Sequence, residues 1–339
     1  MMEIDTGNAI DVLFELGHLD SKVGASVEWL SWGVSNCVLR VSSGDGHAFV
    51  VKQSRHQLRT EVAWFSQLER IWREADVLRY LEGILPAGAV PRVLFEEREL
   101  YLFGMQAVDR SHTVWKSDLL AGQTETQVAR IAGHYLGCIH QRSTGDQRLR
   151  ERWSDRRVFE ELRIDPFYRY VADRHHQFRD ALHALIDATM SQHTCLVLAD
   201  FSPKNILITS QGITLVDFET AHYGDPAFDL GFFLSHLMLK TILHLDQRHS
   251  FQALILEFWS AYSQEMSRRD ADGARDLECL QQRMLLHWGA CLVARIDGTS
   301  PIDYLRDAQQ RDQARQLAAR MLTDPVDRIA EVFAMLPGG

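Results

Sequence analysis

Short apolar runs punctuated by turn residues fill the first hundred positions, and helical spacing fills most of the remainder. Val38 to Ser42 and Ala48 to Lys52 flank Ser43-Gly44-Asp45-Gly46, which predicts a β-hairpin. Leu68, Ile71, Trp72, Ala75, Leu78 and Leu81 recur at spacings of three and four and predict a helix that Gly83 and Pro86 end. Two further strands are expected near Arg92–Glu96 and Leu100–Gln106. From about Glu125 onward the pattern is helical, interrupted by one strand-rich island from Cys195 to Glu219. A sheet-rich part followed by a larger helical part predicts an α+β chain of two lobes, divided as residues 1–106 and 107–339.

Within the island, Ile206-Leu207-Ile208-Thr209 and Ile213-Thr214-Leu215-Val216 read as a hairpin around Ser210-Gln211-Gly212. A three-residue turn pairs Thr209 with Ile213 and Ile206 with Val216, and its extension sets Asn205 opposite Asp217. Opposed residues have Cβ atoms about 5 Å apart. Two oxygen-bearing side chains at that separation suit Mg²⁺, which takes hard ligands and keeps room for phosphate oxygens and water. Asp200, just upstream on the same loop, is placed to orient a hydroxyl and take its proton. Asp-x-x-x-x-Asn followed by Asp-Phe-x is the spacing of a kinase catalytic loop and metal loop. Turn chemistry or helix capping is the plainer reading of Asp200 or Asn205 taken alone.

Lys52 closes the run Phe49-Val50-Val51-Lys52 and is either a solvated strand end or a lysine that holds α- and β-phosphates. Glu74 falls on the apolar side of the next helix, where a carboxylate needs a partner. Lys52 is the natural one, and Glu61 is the rival to Glu74 for it. Ser31-Trp32-Gly33-Val34-Ser35-Asn36 holds a single glycine and is no GxGxxG loop, but its amides and the Ser35 and Asn36 side chains are candidates to cover phosphates. Backbone groups around Met105, Gln106 and Ala107, between the sheet and the helical part, are candidates for the adenine edge.

Composition narrows the setting. Apolar residues make up 46% and charged residues 24%, with a net charge of −10. That balance argues against bulk nucleic-acid binding. It would suit a cationic substrate, although acidity for solubility alone is the plainer reading. Five cysteines without CxxC spacing suggest neither a zinc site nor a disulfide framework. The opening Met1-Met2-Glu3-Ile4-Asp5 does not read as a signal peptide. Phe228 to Leu245 contains Asp229, His236 and Lys240 and reads as a buried helix, not a membrane span. A cytoplasmic protein is expected.

The residues Asp200 to Asn205, Asp217-Phe218-Glu219 and Gly224-Asp225-Pro226-Ala227-Phe228-Asp229-Leu230-Gly231 resemble the aminoglycoside phosphotransferase family, whose superfamily includes methylthioribose, choline and homoserine kinases. The resemblance runs from about Trp29 to the region of Leu305. It implies a bilobal protein-kinase-like fold, ATP and Mg²⁺ as cofactors, and a small-molecule hydroxyl as acceptor. It further implies Asp200 as catalytic base, Asn205 and Asp217 as Mg²⁺ ligands, Lys52 and Glu74 as the phosphate-anchoring pair, and Asp229 as a brace for the catalytic loop. The plainer reading of Asp229 is a first-turn acid favoured by the helix dipole.

One departure stands out: the family's His-Gly-Asp is Leu198-Ala199-Asp200 here, which removes a polar bracing contact but keeps the base and both ligands. Arg295-Ile296-Asp297-Gly298 is similar to the methylthioribose kinases, and Arg295 is a candidate for an anionic or hydroxylated substrate, a surface ion pair being the other reading. Trp115, His140, His287 and Trp288 are candidates for an acceptor pocket, though aromatics at helical spacing are more often core. The stretch between Asp217 and Asp229 is too short for a peptide-docking activation segment, so a small acceptor is expected over a protein. A pseudokinase, binding nucleotide with little turnover, is the alternative.

Overall fold

The structure, a computed structural model, describes residues 2–30, 36–55, 67–268, 273–324 and 326–336. The chain forms two compact units: Met1–His112 with Val216–Glu219, and Thr113–Leu215 with Thr220–Gly339.

The first unit is built on a five-stranded antiparallel sheet of order β1-β2-β3-β5-β4, with β1 Ser26–Trp29, β2 Asn36–Ser42, β3 Ala48–Ser54, β4 Val93–Glu97 and β5 Leu102–Gln106. The β2–β3 hairpin pairs Ser42 with Ala48 and Val38 with Lys52. Successive β3 side chains point to opposite faces. Val51 joins the cluster of Ile4, Leu13, Leu39 and Leu102, over which helix α1 (Ala9–Glu15) lies. Lys52 therefore points to the other face, where helix α2 (Arg70–Ile84) buries Ile71, Glu74, Ala75 and Leu78. Gln53, back on the α1 face, accepts from the Ile4 amide at 2.8 Å and donates to Met2 O at 2.9 Å, which ties the N-terminal segment to the sheet. Strand β1 and helix α1 had no clear signal in the pattern. The strand expected from Leu100 begins at Leu102, because Arg98–Leu100 form a 3₁₀ turn that Tyr101 ends in the left-handed region.

The second unit is mainly helical: α3 Thr126–Ser143, α4 Pro226–Leu243, α5 Arg248–Met266, α6 Gly273–Asp297 and α7 Ala308–Thr323. Its strands are short, with β6 Thr113–Val114, β8 Ile206–Thr209 and β9 Gly212–Leu215 in one sheet and β7 Cys195–Val197 with β10 His222–Gly224 in another. Helices α3 and α5 approach closely because Gly133 has no side chain; a Cβ there would lie 2.2 Å from the Phe258 carbonyl oxygen. Gly231 does the same for α4 against α6, where a Cβ would meet that of His287 at 2.4 Å. Helix α4 is buried almost end to end, as expected for Phe228 to Leu245, and no single described helix is long and apolar enough to cross a membrane.

His287, Trp288, Trp115 and His140 are all fully buried and serve as core. Thr189 Oγ1 donates to Leu185 O at 2.6 Å, so it accepts from His287 Nε2 at 3.1 Å. Nδ1 then accepts from the Tyr168 hydroxyl at 2.7 Å. Burial pushes the His287 pKa down from 6.5 to about 4. The unfolded imidazole binds a proton first, so this contribution is complete above pH 6.5 and is lost as pH falls through about 4. It is on the order of 3 kcal/mol. Urea midpoints measured from pH 7.5 to 4 are expected to fall less steeply in His287→Gln than in the wild type; equal slopes would remove His287 as the titrating group.

Candidate active site

In the first unit, Lys52 Nζ lies 2.6 Å from Glu74 Oε2 and 2.6 Å from Asp217 Oδ1. Lys52 is 4% exposed and Glu74 1%. Burial works against the Lys52 ammonium, yet Asp217, Glu74 and Glu219 outweigh it and hold its pKa above the ordinary lysine range. Burial pushes Glu74 up to about 7 against the pull of Lys52, with Asp217 and Glu219 adding repulsion. With Arg70 on Glu219, two cations face three carboxylates, Glu74 being the one whose charge burial disfavours most.

Glu219 is fixed by a network that the sequence did not announce. Arg70 Nε donates to its Oε2 at 3.0 Å and Asn36 Nδ2 at 2.7 Å. Arg70 also donates to the Gln67 and Arg55 carbonyls at 2.7 and 2.8 Å and is 1% exposed. Asn36, expected beside phosphates, is itself buried and its amide is committed to this network. Ser35 and Glu61 lie outside the described residues. Gln106 ends β5, and its N–H donates to Arg92 O at 2.8 Å, so that amide is not free for an adenine edge; Ala107 follows the strand.

The hairpin register differs from the expected one by a residue. Thr209 pairs with Gly212 and Ile206 with Leu215, leaving a two-residue turn at Ser210-Gln211. Gly212 adopts φ 134, which lets the chain reverse one position earlier. The opposition of Asn205 to Asp217 does not form. Asp217 instead turns at φ 72, in the left-handed region, and residues 216–219 join the first unit.

In the second unit, Asp200 and Asn205 come together around the 3₁₀ turn Pro203–Asn205. Asn205 Nδ2 donates to Asp200 Oδ2 at 2.9 Å and to its carbonyl at 3.0 Å. Lys204 Nζ lies 2.8 Å from Oδ2 and Arg163 Nη2 2.8 Å from Oδ1. Asp229 accepts the amides of Leu198 and Ala199, each at 2.7 Å, and meets His140 Nε2 at 3.2 Å. Arg163 Nε donates to Ala199 O at 2.6 Å, and Thr220 Oγ1 to Leu198 O at 2.9 Å. These contacts fix the Leu198 and Ala199 backbone just before Asp200. Ala199 holds φ 59, a conformation that glycine adopts freely and alanine at a cost of roughly 1 kcal/mol. Arg163, Lys204 and His140 were not legible as partners, since they stand far from the motif in sequence or on its exposed side.

The oxygens of Glu74, Asp217 and Glu219 lie within 4.8 Å of one another, a hard-donor set that fits Mg²⁺. In the second unit the Asn205 amide oxygen accepts from no described residue, while its nitrogen is committed to Asp200.

A unit built on a small antiparallel sheet with a buried Lys–Glu pair, and a mainly helical unit with an Asp-x-x-x-x-Asn loop, define a bilobal protein-kinase-like phosphotransferase fold. Residues 26–271 match the model of the phosphotransferase enzyme family (APH), and the chain belongs to that family. Methylthioribose kinase 1 of Oryza sativa subsp. japonica is 24% identical over 289 residues, covering 74% of this chain and 66% of that protein, so the chain spans just under two thirds of this relative. Methylthioribose kinase of Geobacillus sp. (strain WCH70) is 22% identical over 357 residues, covering 92% and 88%. Among solved structures, choline kinase from Cryptosporidium parvum Iowa II has a TM-score of 0.59 at 13% identity, covering 97% of this chain and 100% of that one, a likeness of fold.

Proposed function

We propose that the protein transfers the γ-phosphoryl group of ATP to a hydroxyl of a small molecule. The observation that carries this reading is Lys52, held 2.6 Å from both Glu74 and Asp217. That triad suits a lysine fixed to grip α- and β-phosphates. Asp217 on the first unit and Asn205 on the second are the proposed Mg²⁺ ligands, with Glu219 close to Asp217. Mg²⁺, when bound, neutralises phosphate charge and orients the γ-phosphoryl group. Asp200 accepts the hydroxyl proton as the acceptor oxygen bonds to phosphorus and the bond to the β-phosphate oxygen breaks, releasing ADP. Asp229, through the Leu198 and Ala199 amides, keeps that loop in place. Ala107 and the neighbouring backbone remain the proposed contact for adenine.

The names of the relatives point to sugars, so methylthioribose is the first acceptor to try, followed by other polyhydroxyl compounds and amino alcohols. A nucleotide-binding module with little turnover is the competing reading, favoured by Leu198-Ala199 in place of His-Gly. ADP release with Mg·ATP across such an acceptor panel separates the two. Acceptor-stimulated release is expected; release that no acceptor raises, at a rate equal to that of Asp200→Asn, would favour the module.

A further inference from the structure

The second unit gathers cations around Asp200 in excess of anything the local carboxylates balance. Arg163 and Lys204 pair with Asp200, at 2.8 Å each. Lys116, Lys240 and Arg295 have no carboxylate in ion-pair range among the described residues. They are nonetheless grouped. Lys240 Nζ lies 5.2 Å and Lys116 Nζ 5.9 Å from the centre of the Tyr304 ring. Arg295 and Arg163 stand 5.9 and 5.8 Å from the Phe167 ring.

Three polar atoms in this group are buried without a hydrogen-bond partner: Arg295 Nε, Tyr304 Oη and His236 Nε2. Lys240 is 1% exposed, and its ammonium donates to one described acceptor, the His236 carbonyl at 3.0 Å. Arg295 Nη1 meets the carbonyl and the hydroxyl of Ser300, not the acid of a surface ion pair. Burial, then Lys116 and Arg295, lowers the Lys240 pKa to about 7. Asp200 and Asp303 are the acids that act on the group, through Arg295 and Tyr304 respectively. Burying unpaired cations is costly unless a counter-charge arrives.

From this cluster we infer that the acceptor carries an anionic group, a carboxylate or a phosphate, which docks on Lys240, Arg295 and Tyr304 while a hydroxyl of the same molecule addresses Asp200. The inference rests on the role proposed for Asp200. It reverses the lean towards a cationic acceptor that the net charge of −10 suggests. Cations grouped around the buried Lys240 outweigh acidic groups elsewhere on a surface screened by salt. Phosphate and carboxylate are both met by an ammonium and a guanidinium, with Tyr304 Oη as a further donor.

The test needs no turnover. Calorimetry on the full chain without nucleotide, at constant ionic strength, uses inorganic phosphate as one probe and glycerate as the other. Saturable binding of at least one probe is expected, weakened about tenfold or more in Lys240→Met and in Arg295→Met. Binding of phosphate alone assigns a phosphate ester, and of glycerate alone a carboxylate. Lys240→Met removes an unpaired buried charge, so its melting temperature is expected to equal or exceed that of the wild type; Arg295→Met gives an independent reading if one variant does not fold. Absence of saturable binding for both probes, or phosphate binding lost in Lys52→Met and kept in Lys240→Met, overturns the inference. Failure of the kinase reading shows separately, as absent ADP release and absent Mg·nucleotide binding.

Discussion

Asp200→Asn is expected to lower turnover by about 10²- to 10⁴-fold while leaving nucleotide affinity within a small factor of the wild type. The amide keeps the shape that Asn205, Lys204 and Arg163 surround, at 2.8–2.9 Å. It cannot take up the acceptor proton. The effect therefore falls on the chemical step, and single-turnover transfer measured beside nucleotide binding reads both quantities on one sample. Unchanged transfer would remove Asp200 as the base.

Asp217→Ala is expected to act on the other side of the reaction. It removes one of the two carboxylates 2.6 Å from Lys52 and the most exposed member of the Glu74–Asp217–Glu219 set. Loss of a group that merely orients a metal ligand costs about 10- to 100-fold in metal affinity, and loss of the ligand itself at least as much. Displacement of a fluorescent ATP analogue should show the dependence of affinity on Mg²⁺ collapse by about a hundredfold. Retained Mg²⁺ dependence would move the metal to other residues.

Much of this site was legible because its chemistry is local in sequence. Asn205 ends the 3₁₀ turn Pro203–Asn205 and reaches back five residues to Asp200, and Lys52 meets Glu74 because strand alternation and helical spacing each fix one side chain towards the same face. The error in the β8–β9 hairpin has the same local origin. Counting Gly212 as a turn residue shifts the register by one, and the structure pairs it with Thr209 instead. A one-residue slip moves every side chain to the opposite face, so Asn205 and Asp217 could not be placed from the pattern.

The Arg70–Glu219–Asn36 network and the contacts of Arg163 with Ala199 and Asp200 join residues 149, 183 and 36 positions apart. No periodicity carries such pairings; they follow from tertiary packing. Composition does not carry the grouping of the cations either. Net charge sums over the whole surface, whereas Lys116 and Lys240 meet at Tyr304 and Arg295 stands against Phe167.

The measurement that bears most directly on the central claim is calorimetric titration of the full chain with a non-hydrolysable ATP analogue, with and without Mg²⁺. Saturable binding that strengthens when Mg²⁺ is present is the predicted result. No binding in either condition would contradict the assignment of Lys52, Glu74 and Asp217 to the nucleotide, and with it the proposed phosphoryl transfer.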